Sequence, residues 1–291
     1  MDVKSRMTQS QKMMVFVLSM SLYGLATLFT ELIPSFQIGI VEFSVEYFLF
    51  IPLTLAMLFD PLSAALGAAT GELVFSEIML GQFGGLGELE KFLTVTIGVY
   101  IAGRIVKDPR NRRVVAAASI IGVTVQQLMG CVVDILKVQF AVEDFEAVAG
   151  LPESVFFTEG FACLNDILFS GILFCMLPAM YLVPRLYGKI EPLLGVKPRD
   201  KETQLEGGVF TPKNIALILA GFAAAIGAEL LASGGYELID WEADWAGNST
   251  SIIVGIIVAL AVTAVAAGLI RSRAGRKAYG RVSQLLKGIK R

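Results

Sequence analysis

The amino-acid sequence predicts an all-α fold, a polytopic bundle of transmembrane helices. Of the 291 residues, 55% are hydrophobic and only 17% are charged, whereas a soluble domain has about 25% charged residues. The hydrophobic residues form continuous blocks, and a block of about 20 apolar residues lets a helix cross a bilayer. These blocks are too long and continuous for the strands of a membrane β-barrel, so helices are expected.

Hydropathy predicts eight spans, of which six form an N-terminal core and two form a C-terminal hairpin. Prolines, glycines and mixed charges after the sixth span predict a cytoplasmic linker. The predicted organisation is a substrate-binding core over residues 1–190, the linker over 191–212, the hairpin over 213–271 and a basic amphipathic tail over 272–291. The spans are expected at Met13–Ile33, Val41–Leu58, Pro61–Leu80, Leu89–Val106, Val114–Leu136, Val155–Leu182, Ile215–Ser233 and Ser251–Ile270.

Basic residues predict the orientation of the bundle. Four groups hold all of the 24 lysines and arginines except Lys91 and Lys137; they lie at the N-terminus, after the fourth span, after the sixth span and in the tail. Eight spans put all four groups on one side, which the positive-inside rule identifies as cytoplasmic. We therefore expect a multi-pass protein of the cell membrane (cytoplasmic or inner), with both termini in the cytoplasm.

The tail places apolar residues on one helical face and basic residues on the others. This pattern predicts either a helix lying on anionic membrane lipid or a docking helix for a cytoplasmic partner. The apolar face consists of Val282, Leu285, Leu286 and Ile289.

Eight acidic residues cluster toward the outer ends of the predicted spans, and only Lys91 and Lys137 counter them. Any one of these carboxylates could reach water from a helix end, where the helix dipole favours anions at the N-terminus. Taken together, they predict a negative cavity in the outer half of the bundle, which favours a cationic or amine-bearing ligand. They are Glu31, Glu42, Glu46, Glu77, Glu88, Glu90, Asp134 and Glu159.

Two predicted spans also carry a polar seam at helical spacing. Such a seam faces protein rather than lipid, and it serves either as a contact between helices or as a wall of a ligand site. Asn165 adds polar capacity beside the second seam. The seams are Thr124, Gln127, Cys131 and Asp134 in the fifth span, and Glu159, Cys163, Asp166 and Ser170 in the sixth.

Several kinds of chemistry are excluded or disfavoured by composition. The chain has no histidine, which excludes Ser–His hydrolysis and His-ligated metal sites. Its three cysteines lie in apolar stretches and are expected to be reduced. It has no phosphate-binding loop of the GxxxxGK[ST] type. We expect no enzymatic activity, no cofactor, no metal and no nucleic-acid partner.

The third predicted span is rich in small residues, with Gly67 and Gly71 spaced for close helix packing. Phe59-Asp60-Pro61 leads into this helix, and Glu72 lies deep within it and needs a partner, for which Gln126 or Gln127 is plausible. Together with the first span, the outer loop ending in Glu42 and the block 45–59, this pattern resembles the S components of energy-coupling factor (ECF) transporters. In that family a Gly-Pro turn leads into an Ala/Gly-rich helix ending in Gly-Asp. The resemblance covers residues 13–184.

The resemblance implies a substrate-capture subunit that binds a vitamin or a similar micronutrient in an outward-facing pocket. It implies partners, namely a membrane scaffold subunit and two ATPase subunits, in addition to membrane lipid. It also implies a lid loop at Ser35–Phe43 and a scaffold contact through the small-residue faces of the first three spans.

The sequence thus predicts the membrane subunit of an ECF-type uptake transporter for a small organic micronutrient with a cationic or amine group. Two alternatives are an ion- or proton-coupled secondary transporter, in which Glu72, Asp166 and Glu229 carry protons, and a membrane scaffold or assembly factor. The identity of the substrate and the role of the last two spans stay open. The predicted substrate-binding residues are Glu42, Glu46, Glu77, Gln127, Asp134, Glu159 and Asn165.

Overall fold

Helices account for most of the structure, as the hydropathy predicts. The computed structural model describes residues 7–199 and 211–235, apart from residues 39, 40, 44, 46, 82, 84, 141, 146, 147 and 149. All of these described residues belong to one compact unit. The eighth predicted span and the basic tail lie outside them.

Within the described ranges, the chain forms a series of helices interrupted by one short β-hairpin. Two π-helical segments extend this series: Leu73–Ile78 continues α3, and Ile167–Met176 joins α6 to α7. The elements are α1 (Gln9–Thr30), β1 (Phe36–Ile38), β2 (Val41–Phe43), α2 (Phe50–Leu58), α3 (Pro61–Glu72), α4 (Glu88–Ile105), α5 (Arg112–Gln139), α6 (Val155–Asp166), α7 (Leu177–Leu186) and α8 (Pro212–Ser233).

Four described helical segments are long and apolar enough to cross a membrane, by length and composition. They are α1, α5, the continuous helix Val155–Leu186 formed by α6 and α7, and α8. The shortest has 22 residues, which at 1.5 Å per residue is about 33 Å and exceeds a hydrocarbon core of about 30 Å. The chain is therefore a helical membrane protein.

The second predicted span, Val41–Leu58, is wrong as a continuous helix. Its first residues form β2, which pairs with β1 in an antiparallel hairpin, and its helical part is the nine-residue α2. Pro52 explains the late start of α2. A helix extending further toward the N-terminus would place the proline ring against the carbonyl of Phe48 and would lack a donor at Pro52. At about 14 Å, α2 is too short to span a bilayer.

The helices alternate in direction, so the two ends of the bundle differ. At one end, Arg199 donates hydrogen bonds to the carbonyls of Phe59 and Val106, the residues directly after the C-termini of α2 and α4. At the other end, Lys137 of α5 contacts Glu229 of α8. We call the first the basic end, because its connecting segments carry most of the described arginines and lysines, and the second the acidic end.

Close backbone packing joins α1 to α3, which run parallel. The Ser19 hydroxyl donates a 2.7 Å hydrogen bond to the Ala64 carbonyl. A Cβ atom added at Gly71 would lie 2.3 Å from the Met20 carbonyl oxygen, and one added at Gly67 would lie equally close to Phe16. The small-residue face of α3 is therefore used inside the chain. The Gly67 and Gly71 part of this face packs against α1, and contact of a scaffold subunit with the first three spans stays a prediction.

A strap at the basic end, residues 187–199, covers the ends of two helices. The Arg199 side chain is only 2% exposed and donates to four main-chain carbonyls over 2.8–3.0 Å. These carbonyls have no partner within their own helices, because the last turn of a helix leaves its acceptors free. The acceptors are Ala56 and Phe59 at the end of α2, and Gly103 and Val106 at the end of α4.

Candidate functional site: an acidic cavity at the ends of α4, α5 and α8

A cavity of about 360 Å³ lies at the acidic end of the bundle, between the N-terminus of α4 and the C-termini of α5 and α8. Its volume falls within the range of about 300–1,000 Å³ typical of small-molecule sites. Four carboxylates and two ammonium groups line it, and we call it the acidic cavity. The six ionisable residues are Glu88, Glu90, Lys91, Asp134, Lys137 and Glu229.

Lys137 ties three parts of the chain together at this cavity. Its Nζ atom lies 3.1 Å from Asp134, one turn away on α5, and 3.0 Å from Glu143 in the following loop. It also lies 3.5 Å from Glu229 on α8. Because one ammonium group is shared among three carboxylates, these contacts leave the wall with an excess of negative charge.

Glu229 is held in place by its own helix and by a glycine on the facing turn. The Ser233 hydroxyl donates to its Oε1 atom over 3.2 Å. A Cβ atom added at Gly87 would lie 2.8 Å from its Oε2 atom. The absence of a side chain at Gly87 therefore leaves the space that the Glu229 carboxylate occupies.

A second, tighter pocket adjoins the acidic cavity and shares Glu88 and Lys91 with it. We call it the inner pocket; Glu72 and Glu77 also line it, and it does not admit a water molecule. The Lys91 ammonium donates to Glu77 Oε1 over 2.7 Å. Lys91 therefore separates the two spaces and contributes its charge to both.

Two carboxylate oxygens near these pockets are buried without a hydrogen-bond partner among the described residues. They are Oε1 of Glu90, beside the acidic cavity, and Oε2 of Glu72, in the inner pocket. Buried polar atoms are nearly always hydrogen-bonded. Unmet acceptors of this kind indicate where a donor, a cation or a proton would be stabilised.

The structure does not bring the predicted substrate-binding residues together at one place. Asp134 lines the acidic cavity and Glu77 lines the inner pocket. Gln127, Glu159 and Asn165 lie on α5 and α6 outside the cavity wall. Glu42 lies in β2, and Glu46 lies outside the described residues.

The two polar seams face each other across α5 and α6. Gln127 donates from Nε2 to Asp166 Oδ2 over 3.2 Å, which makes this part of the seam a contact between helices. Gln127 is therefore committed to Asp166. The sequence suggested Gln126 or Gln127 as the partner of Glu72, but Glu72 faces the Tyr23 side chain of α1. All three cysteines are free, as expected from their apolar surroundings.

Glu229 and the two lysines line the cavity but belong neither to the predicted substrate-binding residues nor to the eight acids of the expected negative cavity, which include Glu88 and Glu90. The sequence places Glu229 in a separate two-span hairpin, whereas α8 packs against α4 and α5. A signal for the lysines was present in the sequence. Lys91 and Lys137 are the two basic residues outside the four basic groups, and both line the acidic cavity.

The arrangement suits the binding of a cation. Low-dielectric walls lined by one sign of charge concentrate ions of the opposite sign. No group of three or more His, Cys, Asp and Glu side chains in the described part of the chain is placed to hold a metal ion. The cavity residues supply acceptors for an ammonium or guanidinium group, with two lysines to limit the total charge.

Comparisons with known proteins place the chain in a family without assigning it an activity. No curated protein and no solved structure matches it. The family match extends beyond the six-span region into the segment that includes α8. It covers residues 14–279, and the chain belongs to this family of unknown function, DUF8171.

Proposed function

We propose that the chain is a multi-pass protein of the cytoplasmic membrane that captures a small cationic or amine-bearing solute in the acidic cavity. The observation that carries the proposal is the cavity wall, where four carboxylates face two ammonium groups around about 360 Å³. Such a wall attracts cations by its field and offers charge-assisted hydrogen bonds to an ammonium group.

The distribution of charge supports an outward-facing site. The four basic groups predict that the basic end faces the cytoplasm. The acidic cavity lies at the opposite end, where a solute from outside the cell would arrive. In this orientation both termini are cytoplasmic.

We further propose that the protein acts as the substrate-binding membrane subunit of an ECF-type uptake transporter. The resemblance of residues 13–184 to S components supports this role, and the sequence has no phosphate loop of its own. ATP hydrolysis would then come from two ATPase subunits acting through a membrane scaffold. The scaffold would contact a surface other than the Gly67 and Gly71 face, and α8 would contribute Glu229 to the substrate site.

Native mass spectrometry of the full-length protein, purified gently from its own membrane, tests both parts of the proposal. The expected result is a retained small molecule with an amine or another cationic group, together with co-purifying ATPase subunits. A retained neutral or anionic solute would contradict the cation site. A cationic solute without ATPases, in a preparation that also supports uptake, would contradict the ECF-type role alone.

A second candidate function is ion- or proton-coupled secondary transport. It is favoured by the inner pocket, where Glu72, Glu77 and Lys91 continue the line of ionisable groups from the cavity into the helical layer. Ionisable residues at such depth often carry ions or protons. Uptake by this chain alone in proteoliposomes, driven by a pH gradient without ATP, would favour this function. Uptake only with ATPases and ATP would favour the ECF-type role.

A further inference from the structure

Glu72 has an unusual setting, at the last residue of α3 and directly before the π segment Leu73–Ile78. Charged or titratable groups face it from every side of the inner pocket. Tyr23 approaches from α1, Lys91 and Glu88 approach from α4, and Glu77 lies on the next turn of its own helix.

The inner pocket holds more negative charge than its cation can balance. Three carboxylates line it beside one ammonium group. That ammonium group is directed at Glu77 over 2.7 Å. The Glu72 carboxyl group is hydrogen-bonded to the Tyr23 side chain, but its Oε2 atom is buried and accepts no hydrogen bond from any described residue. An ionised carboxylate is costly to bury when one of its oxygens has no donor, and taking up a proton reduces this cost.

The geometry favours a proton over any larger cation. The inner pocket does not admit a water molecule, so it has no room for a hydrated ion. The carboxylates of the described chain are also not grouped to hold a metal ion. A proton on Glu72 needs no additional space and turns an acceptor into a donor.

We propose that Glu72 is a proton-binding site, and that a cation entering the acidic cavity drives its proton off. The second half of this inference rests on the proposed function, whereas the first half does not. In the binding step, the O–H bond of the Glu72 carboxyl breaks and the carboxylate keeps the electron pair. The proton passes to water in the acidic cavity, on whose wall Glu88 and Lys91 are shared with the inner pocket.

Electrostatics couples cation binding in the acidic cavity to loss of the proton from Glu72. A positive charge in the cavity makes a proton on Glu72 less favourable, because both charges act across the same shared wall. By thermodynamic reciprocity, loss of that proton must strengthen cation binding by the same factor. The apparent affinity for a cation therefore rises as the pH rises through the titration of Glu72.

Infrared difference spectroscopy tests the proton site without any ligand. Full-length protein in nanodiscs is stepped between alkaline and neutral pH, and the carboxylic-acid C=O stretching band is recorded. We expect a band from a protonated buried carboxyl that disappears in Glu72→Gln and persists in the exposed-loop control Glu153→Gln. Tyr23→Phe should shift the band. Absence of the band in the wild-type protein, or its survival in Glu72→Gln, overturns the proton site.

Proton release on cation binding tests the link between the sites. Methylammonium chloride is titrated calorimetrically into the full-length protein in two buffers with different heats of ionisation. The wild-type protein is expected to release a proton on binding, and Glu72→Gln to bind methylammonium without release. Binding without release in the wild-type protein overturns the link. No binding, with the Glu72 infrared band present, overturns the proposed function and the link, but supports the proton site.

Discussion

The Lys91 ammonium lies 2.7 Å from the Glu77 carboxylate, and this ion pair separates the acidic cavity from the inner pocket. The two partners are unequally buried, with side chains 46% exposed for Lys91 and 6% for Glu77. The negative charge of the buried Glu77 carboxylate is therefore compensated mainly by Lys91, whereas the Lys91 ammonium is also solvated by water.

Replacing Lys91 with methionine should destabilise the protein by about 2 kcal/mol. Removing one partner of a fully buried pair costs about 3–5 kcal/mol, and the exposure of Lys91 reduces that figure through solvent screening. The midpoint of thermal unfolding in detergent, followed by tryptophan fluorescence or size-exclusion chromatography, measures the effect.

The double variant Lys91→Met/Glu77→Gln provides the matched control. Once Glu77 is neutral, loss of the ammonium no longer leaves a buried charge without compensation, so much of the stability should return. Equal stability of the single and double variants would contradict a direct dependence of Glu77 on Lys91.

Arg199→Ala should be among the most destabilising single changes in the strap, with a cost of about 3–5 kcal/mol. It would leave four buried carbonyls at the ends of α2 and α4 without their charged donor. Arg199→Lys should recover only part of the loss, because an ammonium lacks the fork of the guanidinium group.

The exposed neighbour Lys197 gives the comparison for this prediction. Lys197→Ala should leave the unfolding midpoint nearly unchanged, since its side chain is exposed. Similar midpoints for Arg199→Ala and Lys197→Ala would show that the strap does not stabilise the helix ends.

Gly71→Ala should cost about 1–3 kcal/mol, as overpacking of a close contact does. The added methyl group would lie 2.3 Å from a backbone oxygen of α1, which cannot rotate away as a side chain can. Gly160→Ala is the matched control, because a Cβ atom there meets nothing within 4 Å. The stability of Gly160→Ala should be unchanged or slightly higher. The midpoints of thermal unfolding of the two variants are compared, and equal midpoints would contradict the prediction.

Hydropathy predicted most helix positions well, because apolar composition is a local property. The predicted span Leu89–Val106 differs from α4 by one residue at each end, and Val155 begins the sixth span in both. Hydropathy failed for Val41–Leu58, since an apolar run rich in aromatic and β-branched residues does not distinguish a strand from a helix.

The sequence predicted only part of the candidate site, because the site depends on tertiary packing. The clustering of acids toward one end followed from the span boundaries. It included Asp134 and Glu77, which line the two pockets, and their binding of a substrate stays a prediction. Which helix completes the cavity depends on tertiary packing, and nothing near Glu229 in sequence indicates that it meets Lys137. The isolation of Lys91 and Lys137 from other basic residues was the most useful local signal.

Gly87→Ala should weaken cation binding several-fold with little loss of stability. The new methyl group would meet Glu229 Oε2 at 2.8 Å, and this flexible carboxylate would move out of its place in the cavity wall. Gly227→Ala on α8, where a Cβ atom meets nothing within 4 Å, should bind like the wild-type protein. Equilibrium dialysis with labelled methylammonium compares them.

The central claim is that the acidic cavity binds a cation, and equilibrium dialysis of labelled methylammonium against the full-length protein tests it most directly. We predict saturable binding that weakens by at least about tenfold, or about 1.4 kcal/mol, in Glu90→Gln/Glu229→Gln. The exposed-loop variant Glu153→Gln should bind like the wild-type protein. No saturable binding to the wild-type protein, or equal affinity in the double variant, would contradict the account.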